Sequence, residues 1–219
     1  MYKLKRILYY LYGEKFFKRL NYNWKNYPTR FEIIQKIINK KNFQDYLEIG
    51  CYDNTNFSQI KIKNKIGVDP VSGGTHRMTS DKFFSSNNKK FDCIFIDGLH
   101  IYEQVHKDIV NSLSVLNSEG LIILHDCLPI KIWNQIVPRV YDNWTGDVWK
   151  AIVESRTMIH IDTYTCVADH WLGLILKRPN RNLLRLKIKS FKNLKYKDYF
   201  LNHKTYMNLI EVSEINNIV

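Results

Sequence analysis

The stretch that decides the fold is YLEIGCYDNTNF, Tyr46 to Phe57. An apolar run carries an acid, Glu48, and stops at a glycine, Gly50, before the chain turns into a helix. Glycine there lets the backbone pass close to a ligand, and the free amides of the following helix favour a negative group. The dinucleotide signature G-x-G-x-x-G is absent, which argues against a nicotinamide cofactor. IGVDP then sets Asp69 at the end of the next apolar run, 21 residues after Glu48. An acid at that strand end commonly binds ribose hydroxyls. The two acids together predict a nucleoside pocket.

Outward from this pair, short apolar runs alternate with amphipathic stretches, the pattern of an α/β chain with a mostly parallel sheet and helices on both faces. Strands are expected at Tyr46–Gly50, Lys65–Asp69, His76–Thr79, Phe91–Asp97 and Gly120–His125. Tyr102–Leu116 has helical spacing, with Val105, Ile109, Leu113 and Leu116 on one face, and Gly120 suits a left-handed helix cap. A helix at Asp147–Ser155 precedes two β-rich runs, Met158–Tyr164 and Trp171–Lys177, which read as an antiparallel hairpin at the sheet edge. Residues 1–42 form a helical extension, residues 43–178 the central domain, and residues 179–219 a basic extension, helical or partly loose. In the first segment Leu4, Ile7, Leu8, Leu11 and Tyr12 share a helical face, expected to dock on the domain, with a membrane surface as the alternative.

Length and composition set the class. A chain of 219 residues with 45% hydrophobic and 25% charged residues suits one globular domain and one site. No apolar run approaches the roughly 20 residues that span a bilayer, and no cleavable leader is evident, so a cytoplasmic address is expected. Cys51, Cys93, Cys127 and Cys166 lie far apart, which argues against structural zinc and disulfides. The net charge of +12 collects at the two ends. No reader motif accompanies it, which argues against a nucleic-acid partner; contact with an anionic membrane or acidic glycan stays open, as does a homo-oligomer.

Taken in order, EIG, VDP, THRMTSDKFF, FDCIFIDGLHIYEQVHKDI and LNSEGLIILHD resemble the motifs of class I S-adenosylmethionine-dependent methyltransferases, over roughly residues 43–177. Within them the chain resembles the branch related to catechol and macrolide-sugar O-methyltransferases and to bacterial enzymes of surface-glycan pathways. The resemblance implies a Rossmann-like sheet of seven strands, the last pair antiparallel, and S-adenosylmethionine across the first strands' ends. It implies that Glu48 and Gly50 lie near the methionine part, with Asp53 in the turn that follows. Asp69 would bind the ribose, and Thr79, Ser80 and Asp81 would flank the adenine, with Met78 as an apolar neighbour. Asp97 would help hold a divalent metal or the cofactor's ammonium, and Asp126 would be a metal ligand.

The family's usual asparagine after the second acid is here Cys127, a poor partner for magnesium. Either a histidine, His100 or His125, completes the set for a different ion, or no metal is used and a histidine is the base. NWTGDVWKAI adds Trp144 and Asp147, a loop able to stack on and hydrogen-bond a sugar; Asp147 is equally a helix-cap residue. His170, beside Asp169, is a further candidate for lining the acceptor pocket. The expected reaction is methyl transfer to a hydroxyl of a small molecule or sugar, in a surface-glycan or secondary-metabolite pathway. Transfer to nitrogen or a carboxylate is the first alternative, and a nucleoside-binding subunit without turnover the second.

Overall fold

The computed structural model describes residues 2–22, 26–169 and 171–219. Its strands are β1 Asp45–Ile49, β2 Asn64–Val68, β3 Phe91–Ile96, β4 Leu116–Leu124, β5 Asp162–Cys166, β6 Leu172–Leu176 and β7 Leu209–Ile210. They form one sheet in the order β2-β1-β3-β4-β6-β5-β7. The first four pair in parallel, β6 runs against both of its neighbours, and β7 lies parallel to β5. The expected Rossmann-like sheet is therefore present.

Its central strands are apolar on both faces because both faces are covered. Ile94 and Ile96 of β3 join one buried cluster, with Val105 and Ile109 of α5 (Tyr102–Val115) and Ile152 of α7 (Val148–Ser155). Cys93 and Phe95 join the other, with Ile33, Ile34, Ile37 and Ile38 of α2 (Arg30–Lys41). The remaining helices are α1 (Lys3–Tyr12), α3 (Thr55–Gln59), α4 (Ser80–Ser86), α6 (Ile132–Gln135), α8 (Tyr196–Met207) and α9 (Ile215–Ile218).

The register brings the strand ends level. Ile49 pairs with Val68 on one side and Ile96 on the other, and Ile96 pairs with Leu124. Gly50, Asp69, Asp97 and His125, the next residue of each strand, thus emerge along one edge. The chain leaves β1 for β2 on one side and returns to β3 on the other, so a crevice opens at this edge, where open α/β sheets bind ligands.

Several local expectations change. His76–Thr79 is not a strand: only His76 bridges to Val68. Gly73 and Gly74 before it take positive φ, and the Thr79 hydroxyl accepts from the Lys82 amide at the start of α4, so the segment becomes a turn and a cap. Gly120 is no left-handed cap. It lies within β4 and is needed for closeness, since a Cβ there would sit 2.8 Å from the Asp92 carbonyl oxygen. The β5–β6 hairpin is not at the edge, because β6 inserts beside β4 and β7 flanks β5. That last strand comes from the basic extension, whose Tyr196, Tyr199 and Met207 are fully buried in the main cluster. The four cysteines are free and buried.

Candidate active site

A cavity of about 830 Å³ opens at the strand-end edge, within the range of small-molecule sites. Gly50, Asp69, Thr79, Ser80, Asp97, His100, His125 and Asp126 all line it, so eight of the residues singled out from the sequence share one space. Gly50 has φ +88°, and a Cβ on it would fall 2.3 Å from the Asp97 carbonyl oxygen, so β1 and β3 can lie this close only with glycine here.

Asp69 forms one end of the cavity. Its carboxylate accepts the backbone amides of Tyr52 at 2.9 Å, Val71 at 2.8 Å and Ser72 at 2.9 Å, while Arg77 stands 4.0 Å away. Burial would raise its pKa, and these amides outweigh that and lower it. A carboxylate has about four acceptor positions, so a hydroxyl of a ligand can still be received.

At the other end lie Asp97, His100, His125 and Asp126. His100 bridges the two acids: Nε2 is 3.2 Å from Asp97 and Nδ1 is 3.3 Å from Asp126. The Nδ1 contact lacks hydrogen-bond geometry, which leaves that buried nitrogen without a hydrogen-bond partner. His125 has both ring nitrogens engaged, Nδ1 by Asp97 at 3.2 Å and Nε2 by the Asp169 carbonyl oxygen at 3.0 Å and Arg30 at 3.1 Å. Burial would lower its pKa, but the charges of Asp97 and Asp126 prevail and raise it to about 10. Asp97 is held far below the usual carboxylate range, because the His125 charge and the His100 hydrogen bond override its own burial.

Four expected site residues lie elsewhere. Glu48 is 1% exposed, and its carboxylate accepts from Tyr46 Oη at 2.6 Å and Asn56 Nδ2 at 2.8 Å beneath the cavity floor. Glu48 therefore does not line the cavity, where the resemblance implied a place near the methionine part. Tyr46 shares its strand face, two residues back, and that period-two relation is the signal that points Glu48 inward. Asp53 caps the Thr55 amide at 2.9 Å, and Met78 packs against the core. Asp147 is buried and accepts the Tyr102 amide at 2.7 Å while pairing with Lys150 at 3.1 Å. None of the four lines the cavity. His170 lies outside the described residues.

The Asp147 segment acts through the backbone. Gly146 has φ +62°, a Cβ there would meet the His100 carbonyl oxygen at 1.8 Å, and the Asp147 amide donates to that oxygen at 3.3 Å. Trp144 stacks on the His100 ring with centroids 5.6 Å apart and planes 24° apart. Arg30, Tyr52, Gln104, Asp108 and Arg139 are also among the lining residues. Tyr52, Gln104 and Asp108 lie within the quoted motifs but were not singled out, and Arg30 and Arg139 lie outside them.

Asp97, His100 and Asp126 can each turn one ligand atom toward a common point, all within 4.8 Å of one another. Two carboxylate oxygens and one nitrogen of His100, whose Nδ1 is unpartnered, fit a divalent ion with some affinity for nitrogen, such as manganese or zinc. Cys127 takes no part: it is fully buried, and burial pushes its thiol well up.

A strand-end crevice at the switch point of a doubly covered sheet, with Asp69 at one end and an acidic cluster at the other, goes with the Rossmann-like methyltransferase fold. Residues 53–127 match the model of a methyltransferase-domain family. Among solved structures, the fold is similar to the SAH-bound methyltransferase PaMTH1 of Podospora anserina at 14% identity and TM-score 0.52, covering 68% of this chain and 78% of that one. It is similar to the SAH-bound O-methyltransferase of Bacillus cereus at 12% and 0.50, covering 68% and 81%. The cofactor-bound Rv0187 from MTB matches at 11% and 0.55, covering 82% and 98%. No curated protein matches by sequence. Residues 53–127 thus match a methyltransferase domain, and the chain has the Rossmann-like fold of methyltransferases.

Proposed function

We propose that the protein transfers a methyl group from S-adenosylmethionine to a hydroxyl oxygen of a small molecule, a sugar or sugar-bearing compound being favoured. The observation that carries this reading is the placement of His100, braced by Asp97 and stacked by Trp144, in the same cavity as Asp69. When bound, the cofactor supplies a methyl carbon already activated by sulfonium, so the protein chiefly aligns the acceptor and removes one proton.

His100 is the proton acceptor in this reading. Asp97 fixes it through Nε2, and Nδ1 is left free to take the hydroxyl proton. His125 is not suited to the task, because both its nitrogens are engaged, and it serves to neutralise Asp97 and Asp126. Asp69 orients the nucleoside end. Trp144 and Arg139 form the outer wall, an aromatic face and a cation suited to a sugar ring and its hydroxyls or acid groups. A second reading rests on the convergent Asp97, His100 and Asp126: these would hold a divalent ion that lowers the hydroxyl's pKa.

The deciding experiment is calorimetry of S-adenosylhomocysteine binding with manganese, zinc, magnesium or chelator, followed by labelled methyl transfer to panels of hydroxyl, amine and carboxylate acceptors. Oxygen-linked label that survives chelation supports His100 as base, and label that needs an ion supports the metal reading. Transfer only to nitrogen or carboxylate, or tight binding with no turnover on any acceptor, would overturn the proposal.

A further inference from the structure

Helix α1 is mounted on the protein through Arg6 and Tyr9. Arg6 Nε donates to the Val140 carbonyl oxygen at 2.8 Å, and its guanidinium lies 5.3 Å from the Tyr141 ring. Tyr9 packs edge-on against Trp133 at 5.8 Å. Leu4, Ile7, Leu8 and Leu11, spaced i, i+3, i+4 and i+7, form a single stripe on the outward side. They are 67%, 49%, 48% and 55% exposed. A helix docked only for its own stability would turn this stripe inward.

The surroundings indicate what covers it. Lys3, Lys5, Arg6, Lys15, Lys18 and Arg19 crowd the first twenty residues, and Glu14 is the one acid among them. Glu14 is consumed within the fold, accepting the amides of Tyr196 at 2.8 Å and Lys197 at 2.6 Å. Lys3 and Lys5 are exposed on the helix itself, and Lys15, Lys18 and Arg19 are exposed in the segment that follows it. A second copy on this face would set these like charges together. A stable protein interface also buries roughly 1,200–2,000 Å², more than one face of a helix about 15 Å long can supply. An apolar stripe bordered by cations is instead the composition that lies in an anionic membrane interface. No helix among the described residues is long and apolar enough to cross a membrane, so α1 would lie along the surface.

We propose that α1 is a peripheral anchor whose leucine and isoleucine stripe enters the headgroup region of an anionic phospholipid bilayer while the flanking lysines and arginines meet the lipid phosphates and carboxylates. The segment it packs on, around Trp133 to Tyr141, also carries Arg139 of the cavity wall, so the anchor is joined to the outer side of the active site.

The test is cosedimentation of the full chain with phosphatidylcholine vesicles, with and without about 30% phosphatidylserine. Two variants accompany it: one carrying Leu4→Ser, Ile7→Ser, Leu8→Ser and Leu11→Ser, the other Lys3→Glu and Lys5→Glu. Binding should require phosphatidylserine, and each variant should lose at least about tenfold in partitioning while keeping the melting temperature and S-adenosylhomocysteine affinity of the parent. No binding by the parent, or equal binding by parent and stripe variant, would overturn the anchor. So would a lipid-free dimer, seen by sedimentation, that the stripe substitutions dissolve, because the occupant would then be a second copy.

Discussion

The carboxylate of Asp147 accepts the backbone amide of Tyr102 at 2.7 Å, tying the start of α7 to the first turn of α5 across 45 residues of sequence. The amide is one that no intrahelical acceptor can satisfy. Its other carboxylate oxygen pairs with the buried Lys150. Replacing Asp147 with alanine leaves a buried donor and a buried cation exposed to each other's loss, and should lower stability by about 2–4 kcal/mol. Chemical denaturation reads that loss directly. Calorimetry on the folded fraction should find S-adenosylhomocysteine affinity within about threefold of the parent, since Asp147 does not line the cavity.

Asp69 should behave in the opposite way. Asp69→Asn preserves shape but removes charge and one acceptor facing the ligand, so affinity for S-adenosylhomocysteine should fall about 10- to 100-fold, the worth of a charge-assisted hydrogen bond. A binding constant left unchanged would place the ribose elsewhere.

Glu48 predicts a pH dependence of stability. Burial raises its folded pKa to about 7 from an ordinary 4.5, with the Tyr46 and Asn56 hydrogen bonds working against that rise. Between those values the folded chain holds a proton that the unfolded chain has lost, so stability declines as pH rises through this window. Below 4.5 both states are protonated and the penalty vanishes; above 7 it is fully present, on the order of 3 kcal/mol. Glu48→Gln removes the titration while keeping an oxygen acceptor. Its stability relative to the parent should therefore climb by roughly 2–3 kcal/mol from pH 4.5 to pH 8, and urea titrations across that range should find the slope; a flat difference would mean Glu48 ionises normally.

Asp126 takes φ +57°, a backbone shape that asparagine tolerates nearly as well as aspartate. Asp126→Asn should therefore fold. It removes the carboxylate facing His100 Nδ1, and kcat/KM for methyl transfer should drop at least about 100-fold, with S-adenosylhomocysteine affinity changed by less than about tenfold. A uniform loss of both would assign Asp126 to cofactor binding.

The strand ends were legible because their signals are local. Glu48-Ile49-Gly50, Val68-Asp69 and Ile96-Asp97 each show an apolar run stopping at a polar residue or glycine, and parallel register carries them to one edge. The direction of the Glu48 side chain was legible too, through its period with Tyr46, yet a strand-end acid invites the reading of a ligand contact. Asp147 was ambiguous because a carboxylate before a helix can cap that helix or reach another, and only proximity of α5 decides. Nothing in MNLIEVSEI, around Leu209 and Ile210, separates a two-residue edge strand from the loose end of a basic tail.

The sequence by itself determined the alternation of strands and helices, the level at which each strand stops, and the residue types waiting there, since periodicity and burial of short segments are properties of neighbours along the chain. Tertiary structure alone decided that His100 stands between Asp97 and Asp126, that Arg30 from a distant helix reaches His125, and that α1 turns its apolar stripe outward. Those are distances between segments far apart in sequence, set by how the layers pack, and no local pattern carries them.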